Sequence, residues 1–200
     1  DVVGCEAWRQ LKLPPPPDYF VAIADFAGLT QYMMSSDRAG FAATYHPDLP
    51  PQLLHRIETS DPALTKLEMK GRSNFKEAGC RVLARAMSLN TCITSLDLSG
   101  TSVGAAGACL LFPAVTHLTA MTELKLGSAG LESSGASHLC SALAHLTALT
   151  HLDLGSNKLS ADDGARVWGA AAAAGMTRLK TLELGGNGCS ASDVVGCEAW

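Results

Sequence analysis

The sequence predicts an α/β fold built as a solenoid, with short parallel strands on the concave face of a horseshoe-shaped arc, helices on its convex face and leucines between the two layers. Three observations predict it. A strand motif recurs five times at intervals of 28–30 residues, each copy is followed by a turn rich in Gly, Ser or Asn, and each turn leads into a stretch with apolar residues at helical spacing.

The five motifs place apolar residues at Leu64, Leu67 and Met69; Ile93, Leu96 and Leu98; Met121, Leu124 and Leu126; Leu149, Leu152 and Leu154; and Leu179, Leu182 and Leu184. Their starts differ by 29, 28, 28 and 30 residues. Apolar and polar residues alternate at the end of each, as a strand with one buried face requires. The turns that follow hold Gly100, Gly127, Gly155 and Gly185, and two of them hold Asn157 and Asn187, whose amides can satisfy backbone groups of the turn and of its neighbour. Thr101 and Ala129 stand at the equivalent places, and Arg72 near the first, so turn regularity is expected to suffer there. Gly79, Gly107, Gly135 and Gly164 then recur 11 or 12 residues after the first leucine of each L-x-L core, and the pairs Leu83 with Met87, Leu110 with Ala114 and Leu139 with Leu143 give the helical spacing.

Carried by these five registered motifs, the segment 64–189 resembles the leucine-rich-repeat superfamily, specifically the ribonuclease-inhibitor-like class with one helix per repeat. The resemblance implies a leucine-rich-repeat solenoid that works as a binding scaffold.

Residues 1–8 recur unchanged as residues 193–200, which points to a larger tandem duplication or to an artefact of assembly. On the first reading, residues 1–13 are a partial repeat helix and residues 193–200 begin both a second copy and the helix of the fifth repeat. Pro14 to Pro17 form a stiff extended spacer that opens an irregular insert or N-terminal cap over 14–63. Within it the pattern suggests a strand at 19–24, a weak helix at 29–34 and, after Pro47, Pro50 and Pro51, a helix turn at 52–57; the repeats occupy 64–192.

Charged residues make up 17% of the chain and the formal net charge is −4, so no basic field draws it to nucleic acid or an anionic membrane. The longest apolar run, 167–176, is far short of the roughly 20 residues that span a bilayer. No leader-like segment follows Asp1. Seven cysteines without a C-x-x-C pair argue against a disulfide framework and a zinc ribbon, and are expected as buried small apolar groups in a reducing compartment. The expected location is intracellular, most simply cytoplasmic.

Chemistry-bearing patterns are sparse. Phe20 to Thr30, with Asp25 before Gly28, resembles the first metal-binding strand and turn of class III nucleotide cyclases, in which Asp25 would carry a divalent cation. The second carboxylate in a Gly-Asp context is missing downstream, and the stretch before the repeats is too short for a catalytic domain. The histidines at 46, 55, 117, 138, 145 and 151 show no H-x-x-x-H spacing, and no P-loop, G-x-G-x-x-G or G-x-S-x-G occurs. The expectation is no enzyme, no cofactor, no metal and no small-molecule ligand.

A binding surface is easier to place. The polar residues between the leucines point out of the concave face in two columns: Glu68, Asp97, Lys125, Asp153 and Glu183, and beside them Lys66, Ser95, Glu123, His151 and Thr181. A rigid surface with an acidic stripe favours a protein partner bearing Lys or Arg. The leading expectation is a protein–protein interaction scaffold. Two alternatives follow from resemblance: a regulator of a small GTPase, since Ran GTPase-activating proteins share the repeat class, and accessory repeats of a class III nucleotide cyclase.

Overall fold

The computed structural model describes residues 46–189. The chain divides into two compact units, residues 1–42 and 43–200, and the described residues all lie in the second. The expected helix at 1–13, the strand at 19–24 with Asp25 after it, the helix at 29–34 and the repeated octapeptide at 193–200 lie outside the described residues.

A helix, α1 (Pro51–Glu58), precedes five strands that alternate with four more helices: β1 (Lys66–Glu68), α2 (Lys76–Met87), β2 (Ser95–Asp97), α3 (Gly104–Val115), β3 (Glu123–Lys125), α4 (Glu132–Leu143), β4 (His151–Asp153), α5 (Ala161–Ala173) and β5 (Thr181–Glu183). The strands form one open parallel sheet in chain order. Leu67, Leu96, Leu124, Leu152 and Leu182 are in register across it. Each strand is three residues long because the chain must bend away at once to reach its helix, and the 28–30-residue unit returns it one strand spacing further on. Leucines of the first four strands are at most 2% exposed, sealed by the helices that stack α2 on α3 on α4 on α5.

The N-terminal end of this stack is closed. Leu49 and Ile57 are fully buried and join the repeat core. Asn90 pins α1 in place: its amide nitrogen donates to the Ile57 carbonyl at 2.7 Å, and its oxygen accepts the N–H groups of Cys92 and Ile93, each at 3.0 Å. His46 is buried edge-on against Phe75, ring centroids 5.2 Å apart.

The turns are more regular than their sequences. In all five the second residue after the last strand leucine or methionine takes a left-handed conformation: Gly71, Gly100, Ser128, Ser156 and Gly186. Its N–H meets the next turn, as in Gly71 to Ser99, Gly100 to Gly127, Ser128 to Gly155 and Ser156 to Gly185, all at 2.7–2.8 Å. Backbone bonding therefore sets the turn shape, and the expected loss of regularity at Arg72, Thr101 and Ala129 does not occur. Thr101 instead donates its hydroxyl to the Leu98 carbonyl at 2.6 Å. Where asparagine is present it does more. Buried Asn157 donates to the carbonyls of Leu126 at 2.7 Å and Leu154 at 2.9 Å and accepts the Leu131 N–H, while Asn187 does the same for Leu154, Leu184 and the N–H groups of Asn157 and Leu159.

Two helical assignments need correction. On α3 the buried pair is Leu111 with Val115, not Leu110, which is only half-buried. Gly164 is not in register with Gly79, Gly107 and Gly135: those glycines donate to the carbonyls of Phe75, Val103 and Leu131, but Gly164 donates to Ser160, one residue beyond the equivalent Leu159. Helices α2, α3 and α4 begin on a residue at positive φ (Lys76, Gly104, Glu132) whose N–H is aimed at the next unit's turn carbonyl, on Thr101, Ala129 and Asn157. Helix α5 begins instead with an extended N-cap, Ser160, and a reciprocal capping box with Asp163. Asp163 thus takes the place that glycine holds elsewhere. A Cβ on Gly107 would lie 2.8 Å from the Cys80 sulfur, so that position normally has no room for a side chain.

Asp163 is 1% exposed and fully used. One oxygen accepts the hydroxyls of Ser133 at 2.6 Å and Ser160 at 2.7 Å and the Ser160 N–H at 2.9 Å; the other accepts from Arg166. Burial alone would raise its pKa, but these bonds outweigh burial and hold the carboxyl well below the usual carboxylate range.

The cysteines are mixed rather than uniformly buried: Cys80 and Cys189 are buried, Cys92 and Cys140 half-buried and Cys109 exposed. Burial pushes the Cys80 thiol up to about 12. Cys5 and Cys197 lie outside the described residues.

Two outcomes are expected. Asn157→Ala leaves the Leu126 and Leu154 carbonyls without their side-chain donor and lowers unfolding free energy in urea by roughly 2–3 kcal/mol. Because the folded pKa of Asp163 lies below its unfolded value, its contribution is present above the unfolded pKa and is lost as the pH falls through the acid range toward the folded pKa. Urea titrations of wild type and Asp163→Asn between pH 7 and pH 3 should therefore show stability falling less with acidification in the variant.

Candidate protein-binding face

The register of the sheet assembles both predicted columns. Lys66, Ser95, Glu123, His151 and Thr181 face one another across the five strands, and Glu68, Asp97, Lys125, Asp153 and Glu183 do so two residues further on. Strand alternation turns them all to the side opposite the leucines. The structure gives them unequal access. Lys66, Glu68, His151 and Glu183 are exposed, Asp97, Glu123, Lys125, Asp153 and Thr181 are half-buried, and Ser95 is buried.

Several of these side chains already have work within the sheet. Asp97 accepts the Ser99 N–H at 2.9 Å and Asp153 the Gly155 N–H at 2.8 Å, so each aspartate caps the turn that follows its own strand. The turn beneath must leave room: a Cβ on Gly127 would come within 2.9 Å of the Asp153 carboxylate. Ser95 donates to Glu123 at 3.1 Å and the Lys125 ammonium lies 3.4 Å from the same oxygen. The Ser95 hydrogen bond acts most strongly on the Glu123 carboxyl; desolvation opposes it, Lys125 and then Lys66 reinforce it, and the balance lowers the pKa. Lys125 is therefore partly neutralised from within the face. The carboxylates left with no turn to hold are Glu68 and Glu183, on the two outermost strands.

A third column, at the N-terminal ends of the strands, escaped the sequence reading. Thr94, Thr122 and Thr150 each donate their hydroxyl to the carbonyl of the threonine one unit before, on Thr65, Thr94 and Thr122, at 2.9–3.2 Å. The same carbonyls accept main-chain N–H groups, so the ladder lengthens a three-residue sheet by one rung on its open face. Its signal was the threonine recurring at the second place of four motifs; in the fifth, Lys180 interrupts it.

His117 and His145 are exposed at corresponding helix-to-strand loops, outside the strands that carry these columns. Among the described residues no cluster of three or more His, Cys, Asp or Glu side chains is placed to hold a metal ion, and no helix is long and apolar enough to cross a membrane.

Comparison with known proteins agrees with this architecture. A family model described as leucine-rich repeat matches residues 89–111 and 145–166. No curated protein matches the sequence. Among solved structures, one titled leiomodin-1 actin-binding site 2 is similar, with a TM-score of 0.54 and 17% identity over 66% of this chain and 75% of that chain. At that identity the likeness is one of fold.

The turn role of the aspartates separates charge from structure. Asp153→Asn keeps the acceptor oxygen and should leave stability within about 0.5 kcal/mol of wild type, whereas Asp153→Lys removes it and should cost roughly 1 kcal/mol or more in the same urea titration.

Proposed function

We propose that this chain, whose residues 64–189 are an array of leucine-rich repeats, is a protein–protein interaction module that takes its partner on the exposed face of the parallel sheet. The observation that carries the reading is the pair of registered polar columns on a face whose backbone is held by continuous strand and turn ladders. Such a surface loses little conformational freedom on binding, so contacts made there are not offset by ordering. The solved neighbour titled as an actin-binding site supports a protein as the class of partner.

The partner we infer is basic. Of the ten side chains in the two columns, Glu68 and Glu183 are exposed carboxylates without a turn to cap, and Asp97 and Asp153 add half-buried negative charge between them. Lys125 is screened by Glu123. Charge of this kind steers encounter and sets specificity more than it sets affinity, and the lack of an aromatic anchor in either column fits a moderate rather than a tight complex. The working role is a non-enzymatic scaffold.

The test is affinity capture with the full chain and with Glu68→Lys/Glu183→Lys, followed by titration of the recovered basic partner at two salt concentrations. Binding should weaken about tenfold or more in the double variant and fall with added salt. Capture that is indifferent to both charge reversals would place the partner elsewhere, on the helices or outside residues 64–189.

A further inference from the structure

His151 is the one histidine in the two columns, and it is exposed although its strand lies inside the sheet, between β3 and β5. Its ring is held by the threonine ladder. The Thr150 hydroxyl oxygen lies 2.8 Å from His151 Nδ1 and 2.9 Å from the Thr122 carbonyl oxygen. A hydroxyl has one proton to give, and in the other rungs, Thr94 to Thr65 and Thr122 to Thr94, it goes to the carbonyl of the unit before. With the Thr150 proton committed in the same way, its oxygen is an acceptor toward the ring, so Nδ1 carries a proton and donates to it. That bond fixes the tautomer and leaves the lone pair of the neutral ring on Nε2. Among the described residues no hydrogen bond reaches Nε2.

The groups facing this ring are charged. Glu123 stands beside it in register on β3, with Lys125 on the diagonal. Thr181 stands beside it on β5, with Glu183 on the diagonal, and Lys180, whose N–H donates to the Thr150 carbonyl, precedes that strand. Asp153 follows on its own strand, turned to the same side. Three carboxylates against two lysines leave the patch one formal negative charge. Imidazole changes its charge between pH 5 and 8, a range in which ordinary carboxylates and ammonium groups keep theirs.

We propose, taking the sheet face as the site of a basic partner, that His151 sets the pH range over which that face binds: a proton taken up at Nε2 cancels the negative charge of the patch and weakens its hold on the cation. The sheet itself is untouched, because Nδ1 donates to Thr150 in both forms of the ring and the ladder has nothing to rearrange. Charge therefore changes at the surface without a change of shape. One unit charge about one strand spacing, roughly 5 Å, from a bound cation is worth a few-fold in affinity at the high dielectric of a surface. His117 and His145, in loops outside the strands, do not supply this effect.

The probe is a labelled hexalysine peptide titrated into the full chain at low salt, at pH 7.5 and at pH 5.5. Affinity should fall about threefold or more at the lower pH in wild type and in His145→Gln, and should stay level in His151→Gln. Nitrogen NMR of the imidazoles in mildly alkaline solution tests the geometry without any ligand, and should show the His151 ring protonated on Nδ1. The same pH response in wild type and His151→Gln, or a ring protonated on Nε2, would overturn the proposal while leaving the face its basic partner. Hexalysine that fails to bind at either pH, or binds indifferently to Glu68→Lys/Glu183→Lys, removes the face as the site, and the role of His151 falls with it.

Discussion

No unit of this chain can satisfy itself. Each strand is three residues long, its leucines have a helix on one side only, and its main-chain donors and acceptors point toward the units before and after it. Stability is therefore a property of neighbouring pairs, and the constraint on which everything else depends is register: Leu67, Leu96, Leu124, Leu152 and Leu182 must arrive at the same height for both the core and the hydrogen-bond ladder to close. Spacings of 28–30 residues are tolerated because the surplus is absorbed where the chain is least constrained, at the start of a helix. The last helix shows how this is done. Its start slips by one residue, the left-handed entry of the other three is replaced by a capping box, and Asp163 enters a place reserved elsewhere for glycine.

That exchange also shows two ways of joining adjacent units at the helix side. Lys76, Gly104 and Glu132 donate a main-chain N–H forward to the next turn. Asp163 reaches backward and accepts the Ser133 hydroxyl from the helix before it. The first is independent of side chain and so survives sequence change; the second needs an ionised carboxylate and so depends on pH.

The outward face of the sheet inherits its character from the same economy. Aspartate in the central column is half a structural residue, because its carboxylate is the nearest acceptor for the N–H two positions on, in the turn that every unit must make. Glutamate is one methylene longer, and on the outermost strands Glu68 and Glu183 project into solvent instead. An alternating pattern of acids in the sequence therefore becomes a face whose available charge is concentrated toward its two ends, with a neutralised Lys125–Glu123 pair in the middle.

The sequence by itself determined the repeat, the direction and order of the strands, which residues face outward and in which columns, since period-two alternation and a fixed unit length leave one way to stack such segments. It also indicated the helix near residues 52–57, observed as Pro51–Glu58. Only the tertiary structure decided which outward residues are free. Asp97, Asp153, Ser95 and Glu123 look equivalent to their neighbours as letters, and differ because of their hydrogen-bond partners: a turn N–H two positions on for each aspartate, and each other's side chain, one unit apart, for Ser95 and Glu123. The register of Asp163, the anchoring of α1 by Asn90 and the rung of threonines share that origin. Each depends on a distance between residues about 30 positions apart, which a local pattern does not encode.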